Sequence, residues 1–225
     1  MTTAPRIIGI VGSYRKHGTI DTAVTAILDA AQAAGAETHK IYLQDQPIEF
    51  CTNCRACLQQ PGAARGQCVL QDDMAAILDQ LEAADAFVLG APVNFGNVNA
   101  LTQRFIERCV GYGYWPQGQN VPTMRQPHAT KQAVLVSSSA APGCIARWLT
   151  SVFKTLKQLA NMLSAQPIGT LWVGMIDPQD ATLPHRVQRQ AQKLGRSVYF
   201  PTDRPSSHRP KIGDIIAQFV NHLSQ

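Results

Sequence analysis

The chain has 225 residues, 45% of them hydrophobic and 16% charged, with a formal net charge of +5. That length suits a single α/β domain; no apolar run approaches the roughly 20 residues that span a bilayer, and the first residues lack a signal pattern, so no membrane association and a cytoplasmic location are expected. The basic residues are scattered, without a block or interleaved aromatics, which argues against nucleic acid as a partner.

Residues 6–11 (RIIGIV) form a short apolar, β-branched run that stops at Gly12-Ser13. Ile20, Val24, Ile27, Leu28 and Ala31 then recur at helical spacing up to Gly35, giving strand, loop, helix. Residues 38–42 read as a second strand, and residues 47–71 as a long loop, a length that a compact domain keeps only for function. Asp72 and Asp73 suit the first turn of a helix carrying Met74, Ile77, Leu78 and Leu81, followed by a buried strand at 86–90. A loop over 91–99, a helix with Leu101, Phe105, Ile106 and Cys109, an irregular stretch over 111–130 and a strand at 132–137 come next. A helix over 147–163, a strand at 169–173, a helix from about 184 to 198, a polar segment and a last amphipathic helix over 212–223 complete the series.

Five short strands alternating with helices predict a doubly wound α/β fold, a parallel sheet of five strands with helices on both faces. Ligands then bind outside the carboxyl ends of the strands, on the loops 12–19, 91–99 and 138–146. In the first of these, the hydroxyls of Ser13 and Thr19, the charge of Arg15 and the helix amides can converge on a phosphate. It is neither a P-loop nor a G-x-G-x-x-G turn. The serine run 137–139 reads as a flexible polar loop, and the six histidines form no metal-ligating pattern.

Four of the six cysteines stand at Cys51, Cys54, Cys57 and Cys68 as C-x2-C-x2-C-x10-C. In a reducing compartment such spacing points to a ligand set rather than a structural staple. The thiols admit a [4Fe–4S] cluster, a tetrahedral Zn²⁺, or a thiol pair without metal. Pro61, Gly62 and Gly66 can let the ten-residue excursion before Cys68 fold back. Cys109 and Cys144 read as packing cysteines. Tyr112, Tyr114 and Trp115 read either as a cap over a ligand or as an exposed aromatic patch.

On these residues the chain resembles the flavodoxin-like NAD(P)H-dependent FMN reductase family, iron–sulfur flavoprotein branch. The resemblance rests on G-S-x-R-x-x-G at Gly12, Ser13, Arg15 and Gly18, on the cysteines running into Asp72-Asp73, on Pro92-Val93 with Asn94–Asn97, and on Glu107-Arg108. It implies a flavodoxin-like sheet and an FMN-dependent oxidoreductase that passes electrons from NAD(P)H or a reduced carrier to an oxidised acceptor. The FMN phosphate would lie on Ser13, Arg15, Gly18 and Thr19, with Ile20 closing the loop. The isoalloxazine ring would pack on Pro92, Val93, Asn94, Phe95, Gly96 and Asn97 and on Ser138, Ser139 and Gly143, with a [4Fe–4S] cluster on the four cysteines and assembly as a homodimer or homotetramer. The family's loop usually ends Asn-Thr where this chain has Thr19-Ile20, and its fourth cysteine usually follows a shorter gap. An electron carrier or redox sensor without turnover, and a cluster-free quinone reductase, are the alternative readings. Residues 1–200 are expected to form the FMN domain and 201–225 an extension with a helix.

Overall fold

The computed structural model describes residues 4–177 and 179–199; the expected extension and its helix lie outside the described residues. Strand β1 (Arg6–Val11) leads through a loop into helix α1 (Thr19–Ala33), then β2 (Glu37–Tyr42), the short helix α2 (Ala56–Gln59) and α3 (Met74–Glu82). Strand β3 (Ala86–Asn94) turns back into β4 (Asn97–Val98) before α4 (Ala100–Arg108), and β5 (Gly113–Tyr114) pairs with β6 (Thr123–Met124). Strand β7 (Lys131–Ser138), helices α5 (Gly143–Leu149) and α6 (Val152–Met162), strand β8 (Ala165–Val173) and α7 (His185–Tyr199) follow.

Five parallel strands lie in the order β2-β1-β3-β7-β8, the doubly wound order with its switch between β1 and β3. The short antiparallel β4 adds a sixth strand to the expected five. Alternation along β1 sends Ile8 and Ile10 to the core beneath α3, α4 and α6, and Ile7 and Val11 to the core beneath α1 and α7. Parallel strands covered on both faces read as continuous apolar runs, which is why RIIGIV announces its strand so plainly.

The single helix expected over 147–163 is two helices. Thr150 is extended, and the Ser151 amide donates to Gly96 O at 2.7 Å instead of continuing a helical ladder. Strand β8 starts earlier than the apolar pattern shows, because Pro167 beside the irregularity at Ala133/Val134 interrupts the ladder there. No described helix is long and apolar enough to cross a membrane.

Candidate cofactor cleft and cysteine loop

Strands β1, β3 and β7 are neighbours, so the loops leaving their carboxyl ends emerge side by side. The first is pinned to the start of α4. Gly12 N–H donates to Gly90 O at 2.8 Å, and Gly12 O accepts from Asn99 Nδ2 at 2.8 Å and from the Thr102 hydroxyl at 3.0 Å. Asn99 is also the N-cap of α4, its Oδ1 accepting from Thr102 N at 3.0 Å. A Cβ on Gly12 would fall 2.1 Å from Thr102 Oγ1, so this anchor admits only glycine.

Inside the loop, Ser13 Oγ accepts from Arg15 N at 3.1 Å, and Gly18 serves as the N-cap of α1 without a side-chain cap. The first amides of α1, those of Thr19 and Ile20 among them, have no acceptor within the helix. The Ile20 side chain itself is in the core. His17 takes a left-handed φ of 58° and donates its amide to Asp21 Oδ2 at 2.7 Å. Buried Asp21 also accepts from Lys40 Nζ at 2.6 Å and from the Tyr42 hydroxyl at 3.1 Å. Burial works to raise its carboxyl pKa, and the Lys40, His17 and Tyr42 donors outweigh it, holding the group below its ordinary value.

The second loop is a hairpin that turns through Phe95 (φ 46°) and Gly96 (φ 77°). Phe95 is fully exposed, so it packs on nothing among the described residues. Val93 is partly buried against the core, and Asn97 Oδ1 accepts from Val98 N at 2.9 Å and from the Thr155 hydroxyl at 2.7 Å. Pro92 pairs with Ser138 across β3 and β7. The serine run is not a flexible loop: Ser137 and Ser138 are buried in β7, and Ser137 donates to Ala91 O at 2.9 Å. Ser139 donates to Ala141 O at 2.8 Å and accepts from Trp172 Nε1 at 3.0 Å, beneath Gly143 at the start of α5. Trp148, Leu149 and Met175 are exposed apolar side chains on the loops and helix that follow β7 and β8.

The cysteine excursion folds back on itself, as its Pro and Gly content predicts. The Gln60 side-chain amide brackets the Gln67 backbone, its Nε2 donating to Gln67 O at 2.9 Å and its Oε1 accepting from Gln67 N at 2.7 Å, and Gly66 N–H donates to Gly111 O at 2.8 Å. Arg125, which no sequence signal marks, staples the two segments: Nε donates to Gly111 O and Gly113 O at 3.0 Å, and the terminal nitrogens donate to Gly62 O at 2.7 Å and Cys57 O at 3.0 Å. The aromatic stretch braces the same loop. Trp115 donates its amide to Leu58 O at 2.7 Å and lies under Arg55 at 4.6 Å, while Tyr112 is in the core. Four carbonyls released at once make Arg125→Ala cost about 2 kcal/mol of local stability. Cys57 should then alkylate at least tenfold faster, read by mass spectrometry after N-ethylmaleimide; an unchanged rate would remove the staple role.

Among the described residues no three His, Cys, Asp or Glu side chains stand close enough together to hold a metal ion as they lie. Cys57 nonetheless lies within electrostatic reach of the other three: burial raises its thiol pKa, and the charges of Cys68, Cys51 and Cys54 raise it further. Four sulfur donors with no imidazole or carboxylate among them suit a soft ion or an iron–sulfur cluster in kind. Cys109 is a packing cysteine as expected, buried and bonded to Phe105 O at 3.3 Å, whereas Cys144 is exposed on α5.

Comparison with known proteins meets this geometry. Two relatives, both iron-sulfur flavoproteins, come from Archaeoglobus fulgidus (36% identical over 111 residues, 49% of this chain and 48% of the relative) and Methanosarcina thermophila (33% over 105 residues, 47% and 52%). The chain thus spans about half the length of the curated relatives it matches. Among solved structures, an NAD(P)H:quinone oxidoreductase from Methanothermobacter marburgensis superposes with a TM-score of 0.64 at 15% identity, over 86% of this chain and 98% of that one. An FMN-dependent NADH-azoreductase from Bacillus anthracis, solved with FMN, gives 0.63 at 11%, over 88% and 100%; both share the fold. A family profile described as NADPH-dependent FMN reductase matches residues 5–178, and to that family the chain belongs.

Proposed function

We propose that the chain binds FMN in the cleft between its first loop, the β3–β4 hairpin and the end of β7, and passes electrons from NAD(P)H to an oxidised acceptor, with a [4Fe–4S] cluster on Cys51, Cys54, Cys57 and Cys68. The observation that carries this reading is the convergence of three loops at the carboxyl ends of adjacent strands, the first pinned by Asn99 and Thr102 and opening onto an uncapped helix. Bound there, FMN would supply reversible two-electron transfer, and the cluster single-electron steps.

The chain's own residues would hold and orient these groups. Ser13, Arg15, Gly18, Thr19 and the Ile20 amide would take the phosphate, the helix dipole of α1 adding to the charge of Arg15. Pro92, Val93, Asn94 and Gly96, with Ser138, Ser139 and Gly143, would line the ring's edge, while Asn97, its oxygen already committed to Val98 and Thr155, would offer its NH₂. Phe95, exposed together with Trp148, Leu149 and Met175, supports assembly as a homodimer or homotetramer in which these side chains are covered.

Protein purified without air should show resolved flavin bands over a broad brown background that dithionite bleaches, with iron in proportion. Arg15→Ala should weaken FMN by ten- to a hundredfold, about 1.4–2.8 kcal/mol, the range of one charge-assisted hydrogen bond. Quenching of flavin fluorescence measures it, and an unchanged Kd would refute the phosphate assignment.

A further inference from the structure

Arg108, at the end of α4, has no solvent exposure along its side chain. One terminal nitrogen, Nη1, donates to Asp72 Oδ2 and, at 2.8 Å, to Glu49 O. The other, Nη2, donates to Asp72 Oδ1 at 3.0 Å and to Cys68 Sγ at 3.5 Å. Nε finds no hydrogen-bond partner among the described residues. Asp72 is fixed in turn by the amides of Glu49 at 2.7 Å and Met74 at 3.1 Å. The buried cation is thus fastened on three sides and directs one donor at the fourth cysteine. A brace between α4 and the start of α3 would need only the carboxylate and the carbonyl; the bond to sulfur exceeds that need.

We propose that Arg108 is a positioning residue for the cysteine centre: its N–H···S bond fixes Cys68 and raises the reduction potential of the cluster held there, while Asp72 limits that rise. This rests on the reading that the four cysteines hold an iron–sulfur cluster. Adding one electron to a thiolate-bound cluster makes its sulfurs more negative, and a buried N–H donor favours that state over the oxidised one. The Asp72 carboxylate opposes it by neutralising the guanidinium. Lysine keeps the charge of Arg108 but has one nitrogen, which cannot serve Asp72, Glu49 O and the sulfur together.

The test is anaerobic redox titration with dithionite, followed by the cluster's spin resonance signal, on wild type, Arg108→Lys and Asp72→Asn. Iron, sulfide and FMN are measured on each sample. Arg108→Lys should shift the one-electron equilibrium about tenfold toward the oxidised cluster, about 59 mV lower. Asp72→Asn should shift it the opposite way. A brace without electrostatic effect would leave both potentials at the wild-type value, and that result, or shifts of one sign, overturns the proposal. Loss of iron in Arg108→Lys with FMN affinity retained supports the hold on Cys68, whereas loss of both reduces Arg108 to a folding residue. A wild type without iron and sulfide overturns the cluster reading, and the proposal with it; iron present with unmoved potentials overturns the proposal alone.

Discussion

Gly66→Ala is expected to cost the chain the iron proposed for its four cysteines and leave the proposed FMN cleft working. A Cβ there would lie 1.8 Å from Cys57 O, 2.7 Å from Cys57 C and 3.1 Å from Cys57 Cα, all backbone atoms that no rotamer change can move aside. The chain must retreat by more than an ångström, which breaks the Gly66 bond to Gly111 O and shifts Cys68, two residues on, away from Cys57. Gly111 shows the same close approach from the other side, its own added Cβ falling 2.6 Å from Gly66 O. Because the excursion can open without unfolding the sheet, the loss of global stability should stay near 1–3 kcal/mol. Iron after anaerobic reconstitution should fall below roughly a tenth of wild type if four thiolates are needed together. The hydrogen bonds that tie the first loop to Gly90, Asn99, Leu101 and Thr102, and its Lys16–Asp45 ion pair, lie outside the cysteine excursion, so FMN affinity should hold. Wild-type iron in the variant would show that the backbone approach at Gly66 has no part in the centre.

The sheet was legible because its signal is local and repeated. A parallel strand buried on both faces must be apolar throughout, and residues 6–11, 86–90 and 132–137 could hardly be read otherwise. The loops at its carboxyl ends followed from the strand order alone. Hidden from the sequence were the bonds between segments far apart in the chain. Nothing near Arg125 foretells that its guanidinium reaches carbonyls at Cys57 and Gly62, and nothing near Ser151 foretells that its amide leaves the helix for Gly96. Both depend on a tertiary approach that no periodicity encodes. Asn99 and Thr102 were within reach: Asn before an apolar helical run with Thr three residues on is a helix start. That this cap would also seize Gly12 O, 87 residues upstream, was not. Asp72 shows the same divide, since its place before α3 could be read but its grip on Arg108 could not.

Asp21→Asn should strike the proposed phosphate loop from behind. The carboxylate is 3% exposed and gathers donors from Lys40, Tyr42 and the His17 amide. Asparagine keeps the shape but replaces one acceptor with a donor, which must then face another donor, and it leaves Lys40 without its counter-charge. A fully buried pair broken this way costs about 3–5 kcal/mol; with the Lys40 side chain 24% exposed, water recovers part of that, and about 2–3 kcal/mol is expected. Released from Asp21, His17 has no reason to hold its left-handed φ of 58°, so the loop into Gly18 loosens and FMN affinity should fall about tenfold, roughly 1.4 kcal/mol. The pH dependence has a definite sign. The folded carboxyl titrates below its unfolded value of about 3.9, so the unfolded chain binds the proton first. The stability it contributes is therefore complete above about pH 5 and lost as pH falls through the folded value. Lys40 mirrors this: burial lowers its pKa, the bonds to Asp21 and Tyr42 outweigh that and raise it, and its share is lost only as pH climbs past the usual lysine range. Urea unfolding between pH 3 and pH 7 should show a shallower acid slope in the variant than in wild type, with a remainder from Asp72, whose carboxyl is also held low by Arg108 against its burial. Equal acid slopes in the two proteins would mean that Asp21 does not hold the loop by charge.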